Sequence, residues 1–193
     1  MGWIDRIPRA GNLHIGGLYA LYQPNVVKSA GVTHVLSVID FSFYELKESS
    51  DYLRSQKYTH LVIPIEDDPN ENLLQHFGQM TAFIDGALEG GGGVFVHCAM
   101  GKSRSAAAVV AYLMWKFGYG RDCALALVCE GRPVCSPNPG FMEQLEVYGR
   151  MLATPIKDEE GRREIYEGWL GGRFKGYSHE WEARADAAMK AKL

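Results

Sequence analysis

VFVHCAMGKSRSAAAVVAYLMWKFG, residues 94–118, decides how the chain reads. A short apolar run ends in a cysteine, small residues and a glycine follow, and an arginine stands six positions after the cysteine. Val94–Val96 has the make-up of a buried strand. Residues 104–118 are apolar at nearly every position, as in a helix buried on most of its surface, with Gly118 at its C-cap. A strand that runs through a loop into a helix delivers that loop to the C-terminal edge of a sheet, where open α/β folds bind ligands. There the backbone N–H groups of Ala99, Met100, Gly101, Lys102 and Ser103 and the helix N-terminus converge as an anion cradle. Gly101 lets the loop curl. Arg104 offers a planar fork for two phosphate oxygens. In that field the Cys98 thiol loses its proton easily, at pKa values of roughly 3.5–7.5. The thiolate is placed to attack a bound phosphorus in line and form a phosphocysteine. Arg104 and the N–H groups then hold the equatorial oxygens.

Outward from this stretch, strand-like and helix-like segments alternate. Residues 12–21 (NLHIGGLYAL) read as two short strands around Gly16 and Gly17. A short helix is expected from Pro24 to Gly31. Residues 33–39 (THVLSVI) and 59–65 (THLVIPI) read as strands buried on both faces. The polar stretch between them reads as a loop with helical turns. From Asn70 to Leu88, the residues Leu73, Leu74, Phe77, Met80, Thr81, Ile84 and Leu88 recur at helical spacing. The glycine run before Val94 is read as a turn. RDCALALVCEG and NPGFMEQLEVYGRML read as two further helices. The expected fold is α/β, a central, mostly parallel sheet flanked by helices. Residues 1–152 form the domain. Residues 153–193 form a charged, glycine-interrupted, partly helical extension whose aromatics Tyr166, Trp169, Phe174, Tyr177 and Trp181 anchor it to the body or to a protein partner.

The 193 residues are 47% hydrophobic and 22% charged, enough for a sizeable core. A net charge of −3 gives no general pull toward nucleic acid or acidic membranes. No apolar run approaches the roughly 20 residues of a membrane span, and residues 1–10 lack the apolar centre of a signal peptide. The expectation is a soluble protein of the cytoplasm or nucleus. The four cysteines make no CxxC pair, so no structural zinc site is expected. Cys123, Cys129 and Cys135 are read as bystanders.

His97-Cys98-x-x-Gly101-x-x-Arg104 matches the HCxxGxxR signature of cysteine-dependent protein phosphatases. With Ser105 after the arginine, it resembles the dual-specificity branch, whereas lipid- and polyphosphate-directed relatives tend to carry RTG there. The resemblance spans residues 8–152, through NLHIGGLYAL, VTHVLSVI, IEDDPNENLLQHF and SPNPGFMEQLEVY, and is greatest to the fungal Yvh-type branch. That branch implies a C-terminal zinc-binding module, for which these cysteines do not suffice. Two readings stay open, a chain cut before that module or another branch.

The resemblance implies an aspartate as general acid, five residues before the Asn of an Asn-Leu pair. Counting back from Asn72 gives Asp67, preferred over Asp68. Both follow a strand, so they exit at the same sheet edge as Cys98 if the strands are parallel. The same carboxylate then activates water. Ser105 is placed to donate to the Cys98 sulfur, which in the family helps the thiolate leave. A helix N-cap role is its alternative. His97 is read as loop support, and Asn138 as a brace of the phosphate loop. The other histidines are read as structural or surface residues. No metal or other cofactor is expected, because the loop and Arg104 supply the positive charge. The expected partners are a phosphoprotein substrate and a phosphate- or sulfate-like anion in the loop, with neither direct nucleic acid nor membrane. Two alternatives stand beside a phosphatase acting on phosphotyrosine and phosphoserine/threonine. A non-protein ester such as an inositol phosphate calls for a more basic pocket than Lys102 and Arg104 provide. An assembly scaffold, as in ribosome biogenesis, needs neither the cysteine nor the arginine, and both are present.

Overall fold

Side chains alternate faces along a strand. Residues 94–98 therefore send Val94 and Val96 into one apolar cluster and Phe95 into another. Five strands form one sheet in the computed structural model, which describes residues 2–190. They are β1 (Ile4–Arg6), β2 (Leu13–Gly17), β3 (His34–Val38), β4 (Thr59–Ile63) and β5 (Val94–Cys98). Their spatial order is β1-β2-β5-β3-β4, with only β1 antiparallel to its neighbour. The mostly parallel α/β architecture expected from the sequence is therefore present, and β5 lies at its centre.

Helices cover both faces. On the Phe95 side lie α1 (Pro24–Ser29) and α2 (Phe43–Ser55), closing a small cluster with Val27, Val35 and Leu53. On the other lie α3 (Phe77–Glu89), α4 (Arg104–Phe117), α5 (Arg121–Gly131) and α6 (Pro139–Ala153). Helix α4 is the axis of this layer, with Arg104 to Met114 buried without a break. Gly118 ends it at φ 69°, where a side chain is strained. Beyond the domain, α7 (Glu159–Gly172) and α8 (Ser178–Lys190) lie along the body. Residues 191–193, the end of the expected Ala-rich helix, lie outside the described residues.

Five expectations are corrected. Residues 12–21 hold one strand, not two. After Gly17 the chain tightens into a 3-10 turn, Leu18–Tyr22, because the Leu18 N–H bonds the Ala99 carbonyl (3.0 Å) and leaves the sheet. The stretch read as a loop is the 13-residue α2. Ser42 and Glu45 form a reciprocal capping box at its start, and the helix is anchored by buried Leu53. Strand β4 is an edge strand, half-buried along most of its length. Asn70–Leu73 stay outside the helix, which begins as a 3-10 turn at Leu74 and becomes α3 at Phe77. The N-cap position of α4 falls on Ser103, not Ser105.

Candidate active site

The loop between β5 and α4 is held from outside by its carbonyl oxygens. Leu18 N–H donates to the Ala99 carbonyl at 3.0 Å. Buried Arg132 donates to the carbonyls of Met100 (3.2 Å) and Gly101 (2.9 Å), and Ser136 N–H to that of Lys102 (2.8 Å). In a trans peptide the N–H points opposite to the C=O. Turning these four carbonyls outward therefore turns the N–H groups of residues 100–103 inward, and that of Gly101 reaches the Cys98 sulfur at 3.3 Å. Arg132 is fixed in turn by an ion pair with Asp5 of β1. Gly101 sits at φ 68°, and a Cβ there would lie 2.2 Å from the Gly16 backbone. A Cβ on Gly17 would meet the Ala99 carbonyl oxygen at 3.0 Å, a tight contact, so the loop packs closely on the end of β2.

Cys98 is buried, 1% exposed, and its sulfur lies 3.3 Å from Ser105 Oγ. Burial by itself pushes the thiol up. Hydrogen bonds from the Ser105 hydroxyl and the backbone of Ser105 and Lys102, together with the Arg104 charge, outweigh it and hold the thiol below its ordinary value. The donors aimed at the sulfur favour its thiolate form. Arg104, also buried, donates from Nη1 to the Ile65 carbonyl at 3.2 Å. Its Nε is a buried donor with no acceptor among the described residues. A buried N–H without a partner is costly, and an oxyanion over the loop would satisfy it.

Asp67 lies across from Arg104, with Oδ2 3.9 Å from Nε. Its other oxygen, Oδ1, accepts from Ser103 Oγ (2.6 Å) and from Asn138 Nδ2 (3.0 Å). Both bonds fall on one oxygen. Oδ2, on the Arg104 side, is left clear of these two donors. Asn138 caps α6 by accepting from Phe141 N–H (2.9 Å), and its own backbone N–H donates to Ser103 Oγ (3.0 Å). The sequence reading made Asn138 a brace of the phosphate loop. Its bond to that loop is to Ser103, and its side chain holds Asp67. Asp68 turns instead to its own loop, accepting from Asn70 N–H at 2.7 Å.

His97 is completely buried and stacks on Phe95. Ser37 Oγ lies 2.6 Å from His97 Nε2 and 2.8 Å from His60 Nε2, and His97 Nδ1 is 3.4 Å from the Cys98 carbonyl. Burial is the chief cause that takes His97 to about 3 and His60 to about 4, so both are neutral at physiological pH. The His97 ring is held beneath the loop by Ser37 and the Cys98 carbonyl. Sequence reasoning missed Ser37, Arg132 and Gln144, and His60 is structural, one of the two roles the sequence left open for it. Gln144 donates to the Glu71 carbonyl and accepts from Leu74 N–H, both at 2.8 Å, which ties the acid-bearing loop to α6. Gly140 lets that loop close on α6, because a Cβ there would be 2.0 Å from the Pro69 carbonyl oxygen.

The family model for "Dual specificity phosphatase, catalytic domain" matches residues 15–151. Dual specificity protein phosphatase 1 of Arabidopsis thaliana is 40% identical over 134 residues, covering 69% of this chain and 64% of that protein. Tyrosine-protein phosphatase YVH1 of Saccharomyces cerevisiae is 33% identical over 159 residues, 73% of this chain and 42% of that one. The chain thus spans less than two thirds of either relative. Among solved structures, the Yvh1 phosphatase domain from Chaetomium thermophilum is 36% identical with a TM-score of 0.69, covering 78% of this chain and 98% of that one.

Proposed function

Since the chain belongs to the dual specificity phosphatase catalytic domain family, we propose that it hydrolyses phosphate monoesters on protein tyrosine, serine and threonine side chains through a phosphocysteine on Cys98. In the first step the thiolate sulfur attacks phosphorus in line as the P–O bond breaks. The leaving oxygen takes the proton from Oδ2 of Asp67. Arg104 and the inward N–H groups hold the three equatorial oxygens. In the second step water attacks the phosphocysteine, Asp67 takes its proton, and the P–S bond breaks. Ser105, 3.3 Å from the sulfur, donates to the departing thiolate.

The observation that carries this reading is the pairing of a donor-stabilised buried thiol with a buried Arg104 Nε that lacks an acceptor among the described residues. A polypeptide substrate is supported by a groove of about 880 Å³ beside the loop, lined by Lys102, Asn138, Met142, Trp181 and Arg184. Being continuous with the phosphate loop through Lys102, it suits the chain flanking the phosphorylated residue. The four cysteines are unpaired thiols, which agrees with a reducing compartment such as the cytosol or nucleus.

Hydrolysis of a small aryl phosphate in the presence of chelator tests the proposal. Cys98→Ser is expected to lose at least about 10³-fold in turnover, and Asp67→Asn about 10²-fold on substrates with poor leaving groups. A wild-type protein that binds phosphate analogues but turns nothing over would make the loop a binding site and favour a scaffold.

A further inference from the structure

The family model stops at residue 151, yet the segment beyond it reaches the loop that carries the acid. Asn70 stands three residues after Asp67. Its Nδ2 donates to the Gly176 carbonyl at 2.9 Å, and its Oδ1 accepts from Gly176 N–H (3.0 Å) and from Trp181 Nε1 (3.1 Å). All three partners lie more than 100 residues away in the chain. A second tie joins the same loop to α7, from Asn72 Nδ2 to the Tyr166 hydroxyl at 2.9 Å.

Helix α7 lays the partly buried Ile165, Tyr166 and Trp169 against the core and buries no residue completely. Among the described side chains of α7 and α8 only Trp181 is buried, 3% exposed, and its N–H is aimed at the acid loop. Its ring meets Phe174 edge to face at 4.9 Å, and Arg184 closes the seat by lying over Phe174 and pairing with Glu143 of α6. The Asn70 backbone is also fixed, through its N–H to Asp68. Movement of Asn70 is therefore transmitted directly to residues 67–69.

We propose that residues 159–190 act as a clasp that fixes the acid loop through Asn70 and thereby positions Asp67. Asn70 and Trp181 are positioning residues that touch no reacting atom. The inference rests on the phosphatase reading and on Asp67 as its acid.

A double-mutant cycle tests it with phenyl phosphate, whose leaving phenolate needs a proton, and p-nitrophenyl phosphate, whose leaving group needs one far less. Asn70→Leu removes the hydrogen bonds at similar volume. Trp181→Phe keeps an aromatic side chain and deletes one donor, and it serves if the first variant fails to fold. The expected loss in kcat/KM is about tenfold on phenyl phosphate, and smaller on p-nitrophenyl phosphate. In an Asp67→Asn background the same substitution should change the rate less than about twofold. An equal loss in both backgrounds, or none in either, overturns the clasp while leaving the phosphatase intact. If Asp67→Asn alone matches wild type on phenyl phosphate, the acid assignment fails and the clasp falls with it.

Discussion

Ser105 serves Cys98 twice. Its hydroxyl is the foremost of the influences that hold the thiol down against burial, and it faces the sulfur that must depart in the second step. Ser105→Ala should raise the thiol's pKa, so alkylation of Cys98 by iodoacetamide will shift to higher pH. In turnover the variant should accumulate phosphocysteine, seen as a burst of aryl alcohol followed by a slower steady rate. An unchanged alkylation profile would remove Ser105 from the control of the thiol. At this scale much of the site was legible. Cys98, Gly101, Arg104 and Ser105 lie within eight residues, and a strand–loop–helix context makes such spacing chemical. Asp67 was reached through family resemblance, since an exposed carboxylate in an acidic loop carries no local mark. Arg132 was not legible, because its partners are carbonyl oxygens 31 and 32 residues away, which sequence spacing does not encode.

At the scale of elements, three strands meet under the loop through one hydrogen-bonded chain, His60 of β4, Ser37 of β3 and His97 of β5. Both imidazoles are neutral when folded, mainly through burial, at about 4 and about 3. An unfolded histidine takes up its proton near 6.5. The unfolded state therefore binds more protons below that value. Stability from these groups is full above about pH 6.5 and is lost as pH falls toward the folded values. Melting temperature should decline across that window, and His60→Gln should flatten the decline by removing one titrating group. A slope equal to wild type would show that the pair is not coupled to folding. Strands β3, β4 and β5 were readable from β-branched runs, whereas the three-residue β1 was not anticipated. Helix α2 was misread although Ser42 and Glu45 spell a capping box, because its polar surface masks Leu53, the deep anchor among its described side chains. The turn after Gly17 was misread because its cause, the Ala99 carbonyl, belongs to a distant loop.

On the scale of the whole molecule, the domain and its extension differ in what holds them. Helix α4 is buried along eleven consecutive residues, whereas α7 has none fully buried. Amide hydrogen exchange should be slowest in α4 and β5 and markedly faster in α7, where opening does not require breaking the core. Protection in α7 equal to that in α4 would mean that the extension unfolds only with the domain. The composition shift after residue 153 marked the extension; of its aromatics, read as anchors to the body or to a partner, Tyr166, Trp169 and Trp181 bond residues of the body, whereas Tyr177 is exposed. The target of Trp181 was not visible, because Asn70 is an ordinary loop asparagine until Gly176 and Trp181 are brought to it.

The central claim is a covalent phosphoryl group on Cys98, and the most direct measurement is mass analysis of enzyme quenched in acid during turnover of p-nitrophenyl phosphate. Asp67→Asn is the protein to use, because this leaving group needs little protonation while hydrolysis of the intermediate still lacks its base. One phosphoryl group on the peptide that contains Cys98, absent from a Cys98→Ser control, is the predicted result. Steady turnover with no adduct on that peptide, or turnover retained by Cys98→Ser, would contradict the account.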